Sequence, residues 1–480
     1  MYHLIVTVSP HNANIDGGFP ARGLHGEAYR GHIFWDELFI LPFYNIHFPE
    51  ISRSILLYRY RRLDMAKRNA RSNGYKGALY PWQSGSDGSE QSQIIHLNPI
   101  SGKWDVDYSA LQYHVTLAIA LNIWQYYWIT GDVDFIEKYG AEIFFEVCRF
   151  WASKVEYNEE IQRYEIEGVM GPDEYHEKYP DSDKGGLKDN SYTNIMVAWL
   201  FRKAIEILNI LNKYSKNYIV KKINLETAEI KKWEDIGKKI NLVISEDGMI
   251  SQFDGYFDLK ELDWKKYLNR SRKIDRVDRL LKAEGISPDE YKISKQADTL
   301  MAFYNLGLDG VVDIINGLGY YKGNHILKVN FDYYIKRTLH DSTLSLIVHS
   351  YLAHLTGYEK LGWKLYIKAL NSDYKDIQDG TTGEGIHTGA MGGMTLMTLK
   401  CYAGVDFDSE PVSINPCLPR KWQKISFNFI LKQRRYYLQI KRDKIKILIH
   451  SKKENYVKVL VYKKEYSIMV GEWKEIKLSK

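Results

Sequence analysis

Apolar residues recur every three or four positions along most of the first 405 residues. In 109–132, "SALQYHVTLAIALNIWQYYWITGD", the side chains of Leu111, Val115, Ala118, Leu121 and Trp124 share one helical face, and Gly131 marks the end. A second amphipathic run, "VDFIEKYGAEIFFEVCRFWASKV", follows at once. Helix, turn and helix then repeat through "SYTNIMVAWLFRKAIEILNIL", "TAEIKKWEDIGKKINLVI", "DSTLSLIVHSYLAHLTG", "GWKLYIKALNSD" and "GGMTLMTLKCYAG". No sequence repeat of fixed period accompanies them, which argues against a regular solenoid. So many antiparallel helix pairs in one domain predict a helical toroid or an irregular bundle. Long loops rich in Gly, Asp, Trp and His favour the toroid, because such loops converge on a pocket at one end.

After "AGVDFDSEP" the period changes to two. The runs "WQKISFNFIL", "RRYYLQIKR", "KIKILIH", "NYVKVLVY", "EYSIMV" and "WKEIKL" predict a small antiparallel β-sandwich, with the domain boundary at 405–412. We therefore expect a helical domain over 1–405 and a β-sheet domain over 406–480.

Charge follows the same division. From Asp406 onward there are 18 Lys and Arg against 8 Asp and Glu, whereas the rest of the chain carries 48 against 52. The C-terminal lysines alternate with apolar residues, which puts them on the wet face of a sheet and argues against a nucleic-acid or membrane partner. Three scattered cysteines (Cys148, Cys401 and Cys417) indicate neither a disulfide framework nor a zinc site. His32, His96, His114 and His349 lack metal-ligand spacing, so no metal is expected. The opening "MYHLIVTVSP" has no basic stretch before its apolar residues and reads as a strand, not a signal peptide. No window approaches the ~18 apolar residues of a membrane helix. The expected location is the cytoplasm.

Four loop segments concentrate the chemistry: residues 23–43, with Trp35 and Asp36; 168–177, "GVMGPDEYHE", joined by 188–194; 294–301, with Lys295 and Gln296; and 379–393, "DGTTGEGIHTGAMGG". Each has a plain structural reading. Asp36 suits a helix N-terminus, Trp35 a core, Lys295 an ion pair, "GPDE" a polar turn, and the glycines close helix packing. Together, clusters of Trp, Glu, Lys and Gln between helix pairs are what a sugar pocket at the mouth of a toroid requires.

In order along the chain, "RGLHGEAYRGHIFWD", "GVMGPDEYHE", "NSYTN", "KQAD", "HDSTLS" and "TTGEGIHTGAMGG" resemble the signatures of glycoside hydrolase family 65, which includes inverting phosphorylases of α-glucosyl disaccharides. The resemblance covers essentially the whole chain and implies a mainly α fold, an (α/α)6 barrel followed by the small β domain. It implies that Glu174 is the general acid. A sugar alkoxide leaves poorly unless its bridging oxygen is protonated as the bond breaks, so a carboxylic acid is needed there. Neighbouring Asp173 is expected to keep that acid protonated by like-charge repulsion. The resemblance further implies that Trp35, Asp36, Lys295 and Gln296 hold the glucosyl ring, and that Ser342, Thr343, Thr381, Thr382, Gly383 and His387 bind phosphate. Inorganic phosphate would be co-substrate and nucleophile, with no cofactor. Glu384, in the same loop, is the alternative base if the reaction is hydrolysis, since an inverting hydrolase needs a second carboxylate ~6.5–9.5 Å from the acid. Family members usually carry an N-terminal β-sandwich before the barrel. The expected partners besides disaccharide and phosphate are therefore a second copy of the chain or a separate β-sandwich subunit, and a silent subunit that only completes a partner is the third reading.

Overall fold

The computed structural model describes residues 1–23, 28–216, 218–268, 276–377 and 381–478. Parts of two predicted loop segments, at 24–27 and 378–380, lie outside the described residues.

Six helices form a closed inner ring. Glu37–His47 packs on Val115–Thr130, which packs on Ser191–Lys213 and then Thr299–Gly317 (broken at Gly307, φ 71°), Thr343–Leu355 and Thr388–Met397, the last returning to Glu37–His47. Outer helices Pro49–Arg61, Ala141–Lys154, Thr227–Lys239, Ile326–Tyr334 and Glu359–Leu370 lie against the ring. This is the (α/α)6 barrel. Local chemistry sets its boundaries. Gly131, at φ 69°, ends the second inner helix, and the Asn190 side chain caps the third by accepting from Thr193 N.

The glycines of "GAMGG" belong to the packing. A Cβ at Gly392 would stand 2.8 Å from the Phe39 carbonyl oxygen, and one at Gly393 would stand 3.0 Å from Ile347 Cδ1. The last inner helix can approach the first and fifth only because these side chains are absent.

The C-terminal strands form two four-stranded sheets. One runs Lys464–Met469, Tyr456–Val461, Val412–Ile414, Val405–Asp406. The other runs Lys474–Lys477, Lys444–His450, Arg434–Lys441, Lys424–Leu431. Ile445, Ile447 and Ile449 face the core, while Lys444 and Lys446 lie on the other face and pair with Glu475. That core is shared with Ile46, Ile129 and Leu396, which lie near the C-terminal ends of three inner helices. The β domain thus seals the end of the barrel away from the helix N-termini, leaving the N-terminal end for the site.

Three elements differ from expectation. The opening segment is a helix, Tyr2–Thr7, not a strand; Tyr44 donates its hydroxyl to the carbonyls of Leu4 and Val8, which anchors its inner side. The sandwich is not wholly antiparallel, since Val412–Ile414 runs parallel to Tyr456–Val461. A three-residue strand carries too short an alternation to be read, and its direction is set by the crossover. Hairpins at Ile95–Val106 and Glu156–Glu165 were not anticipated. Among the described residues, no helix is long and apolar enough to cross a membrane, and no group of three or more His, Cys, Asp or Glu could hold a metal ion.

Candidate active site

Every predicted site residue lies in a loop that leads into an inner helix, or on that helix's first turn. The six N-terminal positions are Asp36, His114, Asn190, Asp298, Ser342 and His387. At that end of the ring, orphan backbone N–H groups and aligned peptide dipoles create a field that favours anions.

The "GPDEYH" loop is held by a buried polar network. Asp173 Oδ1 accepts from the backbone N–H of Tyr175 and, at 3.1 Å, of His176. Its Oδ2 meets His176 Nδ1 at 2.8 Å and also accepts from Gln252. Asp173 N donates to Asp298 Oδ2, and Asn190 Nδ2 donates to Asp298 Oδ1 at 3.0 Å. Gly171 has no room for a side chain, because a Cβ there would stand 2.1 Å from Asp298 Oδ2 and 2.4 Å from Asn190 Nδ2. The result is that Glu174 sits at φ 64°, a left-handed conformation that costs a non-glycine residue energy and persists where its surroundings over-determine it.

Burial alone would lower the His176 pKa, but Asp173 outweighs it and lifts the imidazole to about 9. Asp173 thus holds the loop through four hydrogen-bond partners, the Tyr175 and His176 amides, the His176 ring and Gln252. Asp298 is pushed well above the carboxylate range, by burial first and by the Asp173 charge second.

The Glu174 carboxyl reaches two of the predicted partners. Lys295 Nζ donates to Oε2 at 2.8 Å, and Gln296 Nε2 donates to Oε1 at 2.6 Å and to the Pro172 carbonyl at 2.7 Å. Asp36 occupies the N-terminal position of the first inner helix but makes no capping hydrogen bond. Burial raises its pKa to about 6; the Arg22 charge opposes this and the Glu174 charge adds to it, so Asp36 stands within electrostatic reach of both. Trp35 is buried, with its ring edge-on to Phe39 and His114.

The second half of the site is the loop 381–387. Thr381–Glu384 form a single 3-10 turn, followed by Gly385 at φ 120°. His387 Nδ1 lies 2.7 Å from Asp373 Oδ1 and 3.1 Å from Arg22 Nη1. Glu384 forms an ion pair with Arg22 at 3.4 Å. Gly383 faces open space. Thr343 is buried, and the Ser342 hydroxyl accepts from Leu344 N. A Cβ at Gly389 would stand 2.9 Å from Leu344 Cδ2 and 3.0 Å from Asp36 Oδ1, so the starts of three inner helices meet there.

Sequence reasoning passed over Arg22, Asp373, Gln252 and Asp298. Arg22 opens the quoted signature "RGLHGEAYRGHIFWD" and Asp298 closes "KQAD", so position was available as a signal for those two. Asp373 and Gln252 come from outside every signature, and only the fold brings them in.

Comparison with known proteins agrees with this architecture. The glycosyl hydrolase family 65 central catalytic domain matches residues 1–396, and that family's C-terminal domain matches residues 405–468. A trehalose 6-phosphate phosphorylase of Lactococcus lactis is 45% identical over 425 residues, covering 88% of this chain and 53% of its own length. A kojibiose phosphorylase of Caldanaerobacter subterraneus is 34% identical over 486 residues, covering 98% and 58%. A solved structure from the human microbiome, provisionally assigned as a kojibiose phosphorylase, superposes with a TM-score of 0.79 at 26% identity, covering 97% of this chain and 63% of that one. The chain thus spans just over half the length of these two curated relatives. With both of the family's domains matched in order along it, the chain belongs to glycosyl hydrolase family 65.

Proposed function

We propose that this chain carries the site for inverting phosphorolysis of an α-glucosyl disaccharide, giving β-glucose 1-phosphate and a free sugar. Glu174 protonates the bridging oxygen as the C1–O bond breaks. Lys295 and Gln296 fix the position of its carboxyl, and one of their contacts yields to the substrate oxygen when the acid is protonated. Asp36 accepts from a glucosyl hydroxyl. Phosphate, held by Thr381, Thr382, the Gly383 amide, His387, Ser342 and Thr343, attacks the other face of the anomeric carbon. No cofactor enters the reaction.

The observation that carries this reading over hydrolysis is the charge of the 381–387 loop. Its one carboxylate, Glu384, is paired with Arg22, and the imidazole of His387 stands beside the same guanidinium. A guanidinium beside a carboxylate favours its ionised form and weakens it as a proton acceptor, whereas an anionic nucleophile needs compensated charge and donors. Among substrates, trehalose 6-phosphate comes first, because the relative named for it shares 45% identity against 34% for the kojibiose phosphorylase. Trehalose, kojibiose and maltose follow.

The test is sugar release from each substrate with and without phosphate, alone and with a co-expressed β-sandwich chain. Release that requires phosphate and yields β-glucose 1-phosphate supports the proposal. Glucose release at equal rates in both conditions would replace it with hydrolysis through Glu384.

A further inference from the structure

The loop 381–387 consists of one 3-10 turn, Gly385 and Ile386 without regular structure, and His387, which bridges to Arg22. Two buried charged side chains from other parts of the fold hold it. Arg22, 7% exposed, precedes the first inner helix. Its Nη1 donates to the carbonyls of Thr381 at 3.1 Å and Gly385 at 3.0 Å, and its Nη2 meets Glu384. The adjoining backbone is stitched to the loop as well, with Gly23 N donating to the Ile386 carbonyl at 2.8 Å. The Arg22 Nε is buried and has no hydrogen-bond partner among the described residues. Asp373 comes from beyond the outer helix Glu359–Leu370. Its Oδ2 accepts from His387 N at 3.1 Å, its carbonyl accepts from the Thr382 hydroxyl at 3.2 Å, and its Oδ1 meets His387 Nδ1.

The His387 ring can be assigned from these contacts. Nδ1 cannot donate to Asp373 and accept from Arg22 at once. The carboxylate can only accept and is the nearer partner, so the Nδ1 proton points at Asp373. Nε2 is then the ring atom left for an anion, as a donor when the imidazole is protonated and as an acceptor when it is not.

We propose that Arg22 and Asp373 are positioning residues that set the affinity of the 381–387 loop for phosphate. Arg22 fixes the turn and compensates Glu384; Asp373 orients His387 and tethers Thr382. This inference rests on the phosphorolysis reading and adds to it residues that lie outside the phosphate contacts themselves.

The experiment compares wild type with Arg22→Gln, Arg22→Lys and Asp373→Asn, each checked by thermal melting, and measures KM for phosphate, KM for the disaccharide and kcat across pH. Arg22→Gln is expected to raise the phosphate KM about tenfold or more, the effect of losing a hydrogen bond to a charged group, with the disaccharide KM changed less than about threefold. Arg22→Lys keeps the charge and recovers part of the loss. Asp373→Asn raises the phosphate KM, since His387 loses the carboxylate that orients its ring. An unchanged phosphate KM in the folded variants overturns the proposal, as does a parallel rise in the disaccharide KM. If Arg22→Gln does not fold, Arg22→Lys and Asp373→Asn decide the matter by the same criteria. A wild-type protein that does not need phosphate refutes the phosphorolysis reading itself. A phosphate-dependent wild type with indifferent variants refutes only this inference.

Discussion

The two halves of the site are built on different principles. The loop bearing Glu174 is locked from beneath by Asp173, His176, Gln252, Asn190 and Asp298, all of them buried, and its acid sits in a strained conformation that this network enforces. The 381–387 loop hangs from fewer groups, Arg22, Asp373 and Asp376 among the described residues, and Glu384 is 56% exposed. The contrast fits the roles proposed for the two loops. An acid must hold its proton within hydrogen-bond reach of one oxygen, where a displacement of ~1 Å costs about 100-fold in rate. An anion that arrives and departs each turnover needs a site that tolerates both states.

The comparison breaks most sharply at Gly171. Gly171→Ala forces a Cβ into Asp298 and Asn190, and turnover is expected to fall by about 100-fold, with stability reduced by roughly 1–3 kcal/mol. Steady-state rates and a thermal melt measure both. A glycine of the other half, Gly383, faces open space, and Gly383→Ala should leave the melt unchanged.

Lys295→Met removes one of two donors to the Glu174 carboxyl. We expect kcat to fall by about 10- to 100-fold, as for a lost hydrogen bond to a charged group, while the melting temperature holds. Equal activity would mean that Gln296 alone positions the acid.

The acid loop also predicts an alkaline limit. The His176 pKa rises from 6.5 to about 9 on folding, so its contribution to stability is complete below about 6.5 and is lost as the pH rises through about 9. Stability measured by denaturant between pH 6 and 10 should fall over that window, and His176→Gln should flatten the fall. The smallest effect is at Asp36, whose pKa rises from 3.8 to about 6. By the same sign rule the wild type loses stability as the pH rises from about 4 through 6. Asp36→Asn should therefore be the more stable protein at pH 8, although less active.

Much of this was legible in the sequence, and the limits were physical. Helices of three or more turns repeat their period often enough to be read, and Lys444–His450 alternates through seven residues. The opening helix has six residues, and "YHLIVT" is rich in β-branched side chains; tertiary contacts through Tyr44 overrode that propensity. Within the site, residues on loops that enter inner helices could be found because catalytic groups cluster there with Gly and Trp. Asp373 and Gln252 could not, because each acts through a neighbour distant in the chain. Trp35 shows the converse limit: an aromatic residue next to a site carboxylate looks like a sugar platform in sequence, and the fold buries it among Phe39, Trp82 and His114.

The central claim is that Glu174 gives its proton to the departing sugar, and it can be tested by varying what departs. Wild type and Glu174→Gln are compared on a disaccharide and on α-glucosyl fluoride, whose leaving group has little need of protonation, with phosphate present in both. The account predicts that the variant loses about 100- to 10,000-fold on the disaccharide, the usual contribution of general acid catalysis, and retains most of its rate on the fluoride. Undiminished turnover of the disaccharide, or an equal loss on both substrates, would contradict it.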